Sequence, residues 1–334
     1  AGQVADANAI AALVGDSDRG VRVASIVALG KLGGQKYLAT ILKRTDPKAE
    51  TDQAVRKQAR EVAMGLLAGA DAATLEAEAQ RLAGSDDTIN QRIEILEMLV
   101  TTLKTEDSSK LPAAYRTLGQ ALLTGARPAE AAGHFRKAYD AMIVTKDAMA
   151  SGVWVEWVGA LLAADDAEAI KAMASQNDIS VFQTVRKALS TRLAALVAQE
   201  RYAPAILLSE RAIESLAPRL TVDERKALQT TLKEARLAQR GADKKKVALL
   251  VGQLTAPDES ARSKASGELQ VMASRAVVPL LELLKSGIED KQADSRVTQA
   301  IIVVLKQVAP KLTGYDPLAS KAQRITVIEG WLKA

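Results

Sequence analysis

The feature that most constrains this chain is a short pattern that recurs at the spacing of a helical hairpin. In three segments an aspartate precedes an arginine by four positions. The pairs are Asp18/Arg22, Asp52/Arg56 and Asp258/Arg262. An aspartate in this place caps the start of a helix, and an arginine one turn later lies on the same face, where it can pair with the aspartate or with a neighbouring repeat. Because Arg22 and Arg56 are 34 positions apart, the pattern predicts repeated helical hairpins.

The residues around the first arginine fit the second helix of such a hairpin. Val21, Ala28 and Leu29 fall on one stripe that a helix would bury, and Gly30 permits close packing or a turn. This arrangement resembles HEAT repeats, in which a valine–arginine pair and an alanine–leucine–glycine run open and fill the second helix. The segments that match are 16–30, 52–65 and 258–285.

The middle of the chain follows a different pattern. Residues 115–138 place large and small apolar residues at alternating helical spacings. They are the large Tyr115, Leu118, Leu122 and Phe135 and the small Gly119, Ala131 and Ala138. This resembles a tetratricopeptide repeat, whose small residues let two helices touch while the large ones fill the surrounding space. The match departs at Ile143, which stands in place of the usual proline. A second, less complete unit covers 186–216.

Composition supports helices throughout. Aromatic residues make up 3% of the chain, and their scarcity argues against a β-sandwich or barrel, which packs with aromatic and β-branched side chains. We therefore predict an all-α protein, an α-solenoid of about eighteen helices in antiparallel hairpins. Its predicted regions are HEAT-like repeats in 1–105, tetratricopeptide-like repeats in 106–242, and HEAT-like repeats with a C-terminal capping helix in 243–334. Breaks between helices are predicted at 84–87, 124–128 and 255–258.

The C-terminus carries a further resemblance. A Gly-Tyr-Asp-Pro turn begins at Gly314 and is followed by Arg324, Ile328 and Trp331. This resembles the closing helix of bacterial repeat proteins, often exported ones from planctomycete-like lineages. A terminal repeat has only one neighbour, so the resemblance implies that Trp331 covers the end of the core.

The sequence offers little for catalysis. The chain lacks cysteine, which excludes disulfides, iron–sulfur clusters, a cysteine nucleophile and thiolate zinc sites. Its one histidine, His134, is predicted to be a partly exposed structural or surface residue. No glycine-rich loop follows a strand, and the acidic pairs fall in predicted turns rather than across a cleft. We expect no catalytic residue, cofactor, metal or small-molecule substrate, and no enzyme.

Binding of other proteins is the function that the predicted fold favours. Stacked hairpins present an extended face lined by polar residues of the inner helices, here Arg116 and Gln120. Trp154 and Trp157, three positions apart, form the main aromatic cluster and are either core residues or an interface hot spot. We predict a non-enzymatic scaffold, an accessory subunit of a larger bacterial multiprotein complex.

Two alternatives come from other HEAT-like proteins, bilin lyases and nucleic-acid-binding proteins of the DNA-glycosylase type. The first is disfavoured because this sequence lacks the aromatic pocket that a tetrapyrrole needs. The second is disfavoured because the first 240 residues hold 31 Lys and Arg against 30 Asp and Glu. The basic surplus lies in 241–334, and its Lys244, Lys245 and Lys246 are predicted to start a solvated helix.

Location is predicted from two features of the sequence. The chain begins with Ala1 and lacks cysteine, which favours an exported, periplasmic protein, although a cytoplasmic one also fits. The sequence contains no run of about 18 or more apolar residues, so it predicts no transmembrane segment.

Overall fold

A computed structural model of the protein describes residues 2–32, 34–83, 88–290 and 295–333. These residues form 17 α-helices joined by turns and short 3₁₀ segments, and they include no strand. The helices are α1 (Gly2–Leu13), α2 (Arg19–Leu32), α3 (Leu38–Lys43), α4 (Gln53–Leu67), α5 (Ala72–Arg81), α6 (Ile89–Glu106), α7 (Leu111–Thr124), α8 (Pro128–Thr145), α9 (Ala150–Ala163), α10 (Glu168–Ser175), α11 (Ile179–Ala198), α12 (Tyr202–Leu216), α13 (Val222–Gln253), α14 (Glu259–Met272), α15 (Ser274–Glu289), α16 (Ser295–Val308) and α17 (Lys321–Lys333). The all-α prediction is confirmed.

The chain divides into two compact units, Ala1–Ser190 and Thr191–Ala334. In the first, helices from α1 to α10 pack mainly against their neighbours in sequence, and α4 also packs against α2 and α6. In the second, α13 packs against α12, α14, α15 and α16, and α15 packs against α16 and α17. The predicted breaks at 124–128 and 255–258 are confirmed, and 84–87 lie outside the described residues.

The three aspartates of the recurring pattern cap helices, as predicted. The carboxylate of Asp18 accepts from the N–H of Val21, that of Asp52 from Ala54 and Val55, and that of Asp258 from Ser260 and Ala261. These bonds satisfy backbone donors that the first helical turn leaves free. They also hold the pKa of Asp52 below its usual range, mainly through the N–H of Val55.

The three arginines share a contact that the sequence did not predict. Each guanidinium donates from one nitrogen to the backbone carbonyls six and five residues before it, in the loop that leads into the helix. Arg22 bonds Asp16 and Ser17, Arg56 bonds Glu50 and Thr51, and Arg262 bonds Ala256 and Pro257. The arginine therefore fixes the preceding loop and does not only pair with an acidic side chain. Arg22 also pairs with Glu50, which lies in the loop before α4.

Glycines allow close packing in both predicted repeat types of the first unit. A Cβ on Gly30 of α2 would overlap a methyl group of Val62 in α4, and one on Gly119 of α7 would lie 2.8 Å from the ring of Phe135 in α8. Phe135 is fully buried. The predicted contact between small and large residues of the α7–α8 hairpin is confirmed.

The second unit is built on the 32-residue helix α13. Its predicted capping box is present: the hydroxyl of Thr221 accepts from the backbone N–H of Glu224, and the carboxylate of Glu224 accepts from the backbone N–H of Thr221. Lys244, Lys245 and Lys246 are exposed, but they lie deep inside α13, so the prediction that they start a helix is wrong. The helix continues unbroken through 242–243, where the sequence predicts a change of repeat type.

The C-terminal core lies between the end of α13 and α17. Trp331 and Tyr315 are partly buried against it, with ring centroids 6.0 Å apart, and Ile328 is fully buried. The aromatic rings therefore pack on the last hairpin, as the C-terminal resemblance implies.

Candidate protein-binding site

Two of the four predicted binding residues meet at one carboxylate. Arg116 of α7 donates from Nε and a terminal nitrogen to Glu156 of α9, at 2.8 and 2.9 Å. The amide of Gln120 donates to the same carboxylate at 2.9 Å. This bidentate pairing raises the pKa of Arg116. Sequence reasoning found both residues of α7 but not Glu156, because the partner lies 40 positions along the chain from Arg116.

The two predicted tryptophans belong to the interior of the first unit. Trp154 and Trp157 are both buried. The ring of Trp157 stacks on Tyr139 of α8, with centroids 6.0 Å apart, and the guanidinium of Arg136 lies 4.6 Å from the same ring. The indole of Trp157 thus fills space between α8 and α9.

His134 lies next to this region and is half-buried, as predicted. Its ring lies 5.9 Å from that of Tyr115, and its Nδ1 is buried without a hydrogen-bond partner among the described residues. Burial lowers the pKa of His134, and the nearby charge of Lys137 lowers it further. The neutral imidazole is therefore the form that this hairpin favours.

A groove that the sequence did not predict lies between α5 and α7, above α6. We call it the α5–α7 groove, and it has a volume of about 640 Å³. Each of its three helices contributes residues at helical spacing to it. They are Glu76, Ala79 and Gln80 of α5 with the adjoining Ala83, then Arg92, Leu96, Leu99 and Leu103 of α6, and Ala113, Ala114 and Thr117 of α7 with Lys110 before it. The floor is leucine, the walls are largely alanine, and the charged groups stand at the edges.

The predicted polar residues lie beside this groove. Ala113, Arg116, Thr117 and Gln120 are spaced three and four residues apart, which places all of them on one face of α7. Ala113 and Thr117 line the groove, so Arg116 and Gln120 flank it. The sequence signals the groove only through the alanines that recur on α5 and α7. Alanines at this spacing are equally typical of ordinary helix packing, so they did not predict a groove.

No helix among the described residues is long and apolar enough to span a membrane, and no group of three or more acidic or histidine side chains there could hold a metal ion. Comparison with known protein families, with curated proteins and with solved structures finds no match for this chain.

Proposed function

We propose that this protein is a non-enzymatic scaffold that binds other proteins, as an accessory or structural subunit of a larger bacterial assembly. The observation that carries the proposal is the α5–α7 groove, with its leucine floor, alanine walls and charged edges. Pockets of this composition bury apolar side chains of a ligand and fix its orientation through a few polar groups.

The groove suits a polypeptide because its polar groups lie where a ligand's main chain would run. Arg92 and Lys110 offer donors at its edge and Glu76 offers an acceptor, while the floor accepts apolar side chains. The small walls leave room for a bulky anchor residue, which is the kind of residue that dominates binding energy at interfaces. Arg116 and Gln120 extend the polar edge along α7.

The same proposal includes the arrangement of repeats. HEAT-like hairpins in 1–105, tetratricopeptide-like hairpins in 106–242 and HEAT-like hairpins in 243–334 would stack as α-solenoid repeats. Its support is the packing of α4 on α2 and α6 and of α15 on α13 and α17, because repeat arrays bury their cores through contacts between successive hairpins.

Affinity capture of the whole chain from its native source, followed by mass spectrometry and sizing, tests the function. We expect a defined complex of fixed stoichiometry with wild type. Ala113→Arg fills the groove from an exposed position on α7 and should abolish capture. Ala129→Arg makes the same change at an exposed position on α8 outside the groove and should retain it.

Three results would contradict the proposal. They are a bare monomer, a complex that is indifferent to Ala113→Arg, and a chromophore or nucleic acid as the sole companion. The last would favour one of the alternatives, a bilin lyase or a nucleic-acid-binding protein. Circular dichroism of both variants checks that each folds as wild type does.

A further inference from the structure

The second unit has a groove of its own beside α13. It lies among α12, α13, α15 and α17, with a volume of about 900 Å³, and adjoins a shallower recess of about 410 Å³. The two share Arg236, Leu237 and Arg240 of α13 in their walls. We call the combined surface the α13 groove. It exists because α12 and α15 pack on different parts of one long helix.

Apolar side chains in the α13 groove are exposed to an unusual extent. Leu237 is 68% and Val278 is 51% accessible to solvent. Ile206, Pro279 and Leu332 continue the apolar surface from α12, α15 and α17. Contiguous exposed apolar surface with a polar border marks an interaction site more often than scattered single residues do.

The charge of the groove is strongly one-sided. Five basic side chains line it against two acidic ones. The basic ones are Lys233, Arg236, Arg240, Lys244 and Arg275, and the acidic ones are Asp243 and Glu282. Three of the basic residues are already paired: Arg236 with Glu210, Lys244 with Glu282 and Arg275 with Asp243.

The other two basic residues are available. Among the residues that the structure describes, neither Lys233 nor Arg240 has a hydrogen-bond or ion-pair partner. Seven positions separate them, so they stand two helical turns and about 10 Å apart, with Leu237 between them. One face of α13 thus presents a cation, an apolar side chain and a second cation in succession.

The basic character extends to the whole second unit. Residues 191–334 contain 23 Lys and Arg against 16 Asp and Glu, whereas residues 1–190 contain 22 against 24. Charge of one sign attracts a partner of the other sign and raises its rate of association. The first unit offers no comparable surplus.

We propose that the α13 groove binds an acidic amphipathic helix of a partner protein. Two carboxylates about two turns apart on that helix would pair with Lys233 and Arg240. Apolar side chains on the same face would cover Leu237 and Val278, as in other complexes in which a helix occupies a groove. This inference rests on the proposed function and names the chemistry of one partner.

Nucleic acid is a poorer match for this surface. No aromatic side chain is among the residues that line the groove, although single strands bind largely by stacking on aromatic rings. A duplex would satisfy the cations with phosphates but would leave Leu237 and Val278 in water. The exposed apolar surface therefore decides in favour of a protein segment.

Selection from a random peptide library on the intact chain tests the proposal. Peptides of about 15 residues allow roughly four helical turns. We expect enrichment of Asp and Glu seven positions apart, with apolar residues between them. Arg240→Glu should weaken binding of the selected peptides by about tenfold or more, and Leu237→Ser should weaken it as well.

Matched controls lie on the same helix. Lys245→Glu makes the same change of charge, and Leu249→Ser the same loss of apolar surface, at exposed positions outside the groove. Both should leave peptide affinity within about twofold of wild type. Thermal unfolding followed by circular dichroism verifies that the exposed substitutions preserve the fold.

The inference is overturned if selected peptides show no acidic enrichment, or if Arg240→Glu weakens binding no more than Lys245→Glu does. It is also overturned if a DNA duplex of about 20 base pairs binds in an Arg240-dependent way and displaces the peptides. None of these results would affect native capture through the α5–α7 groove. If instead that capture fails while the peptides still bind in an Arg240-dependent way, the result counts against the proposed function alone.

Discussion

In two ion pairs of the first unit, a helical arginine meets a glutamate further along the chain with the same two-nitrogen geometry but in different surroundings. Glu50 lies in the loop before α4, and Glu156 lies in α9. Arg22 meets Glu50 through two nitrogens at 2.9 and 3.2 Å, and Arg116 meets Glu156 in the same way at 2.8 and 2.9 Å. The first pair is largely buried, with side chains 14% and 4% exposed. The second is more open, at 29% and 24%.

The two regions therefore keep their charged contact at different depths. The N-terminal hairpins have a largely buried charged pair. There the carboxylate of Glu50 also accepts from the backbone N–H of Asp52, and the backbone carbonyl of Glu50 accepts from the guanidinium of Arg56. Both regions also have a close apolar contact inside, Gly30 against Val62 in the first and Gly119 against Phe135 in the second. The ion pair of the middle hairpins, however, lies nearer the surface and beside the α5–α7 groove.

The sharpest test of this comparison removes one carboxylate from each pair. Glu50→Ala leaves the guanidinium of Arg22 without its acidic partner in a largely buried place, and the two loop carbonyls compensate only in part. We expect a loss of about 3 kcal/mol in the free energy of unfolding. Glu156→Ala is the matched control and should cost about 1 kcal/mol or less. Urea unfolding of both variants provides the measurement, and equal losses would show that burial does not distinguish the pairs.

The middle hairpin can be tested with two glycines that differ only in what surrounds them. Gly119→Ala drives a methyl group into the ring of Phe135, which is fully buried. We expect a loss of about 2 kcal/mol in stability. Gly133→Ala, on α8 of the same hairpin, enters open space and should stabilise by about 0.5–1 kcal/mol through helix propensity. Thermal unfolding of the two variants gives the sign of each change in stability. A Gly119→Ala variant as stable as wild type would contradict the close contact between Gly119 and Phe135.

These contacts also show how far the sequence leads. The aspartate caps and the Gly119–Phe135 contact were predictable, because a helix start and a tightly packed hairpin each require particular residue types at fixed local spacing. The carbonyl contacts of Arg22, Arg56 and Arg262 were not, because any residue can supply a backbone oxygen.

The binding surfaces were less predictable than the helices. Arg116 and Gln120 could be placed on one helix face from their spacing, but their partner Glu156 depends on the register between two distant helices. The two grooves depend on the gaps between helices, which are set by tertiary packing and leave no periodicity in the sequence. Trp154 and Trp157 could be paired from sequence, whereas their burial required the position of α8.

The smallest expected effect is that the stability contributed by the middle hairpin depends on pH. The N-terminal hairpins should lack this dependence because His134 is the only histidine. Burial, followed by the charge of Lys137, lowers the pKa of His134 from 6.5 in the native state. The unfolded chain therefore binds more protons than the native one below about pH 6.5, so stability falls as the pH decreases through that value. Carboxylates whose native pKa is lowered, such as Asp52 and Glu130, have ordinary values of 3.8 and 4.5 and act only at more acidic pH. Urea unfolding at pH values of about 7.5 and 5.5 should show a decline for wild type that His134→Gln removes. An equal decline in both proteins would mean that the imidazole is not held in its neutral form between α7 and α8.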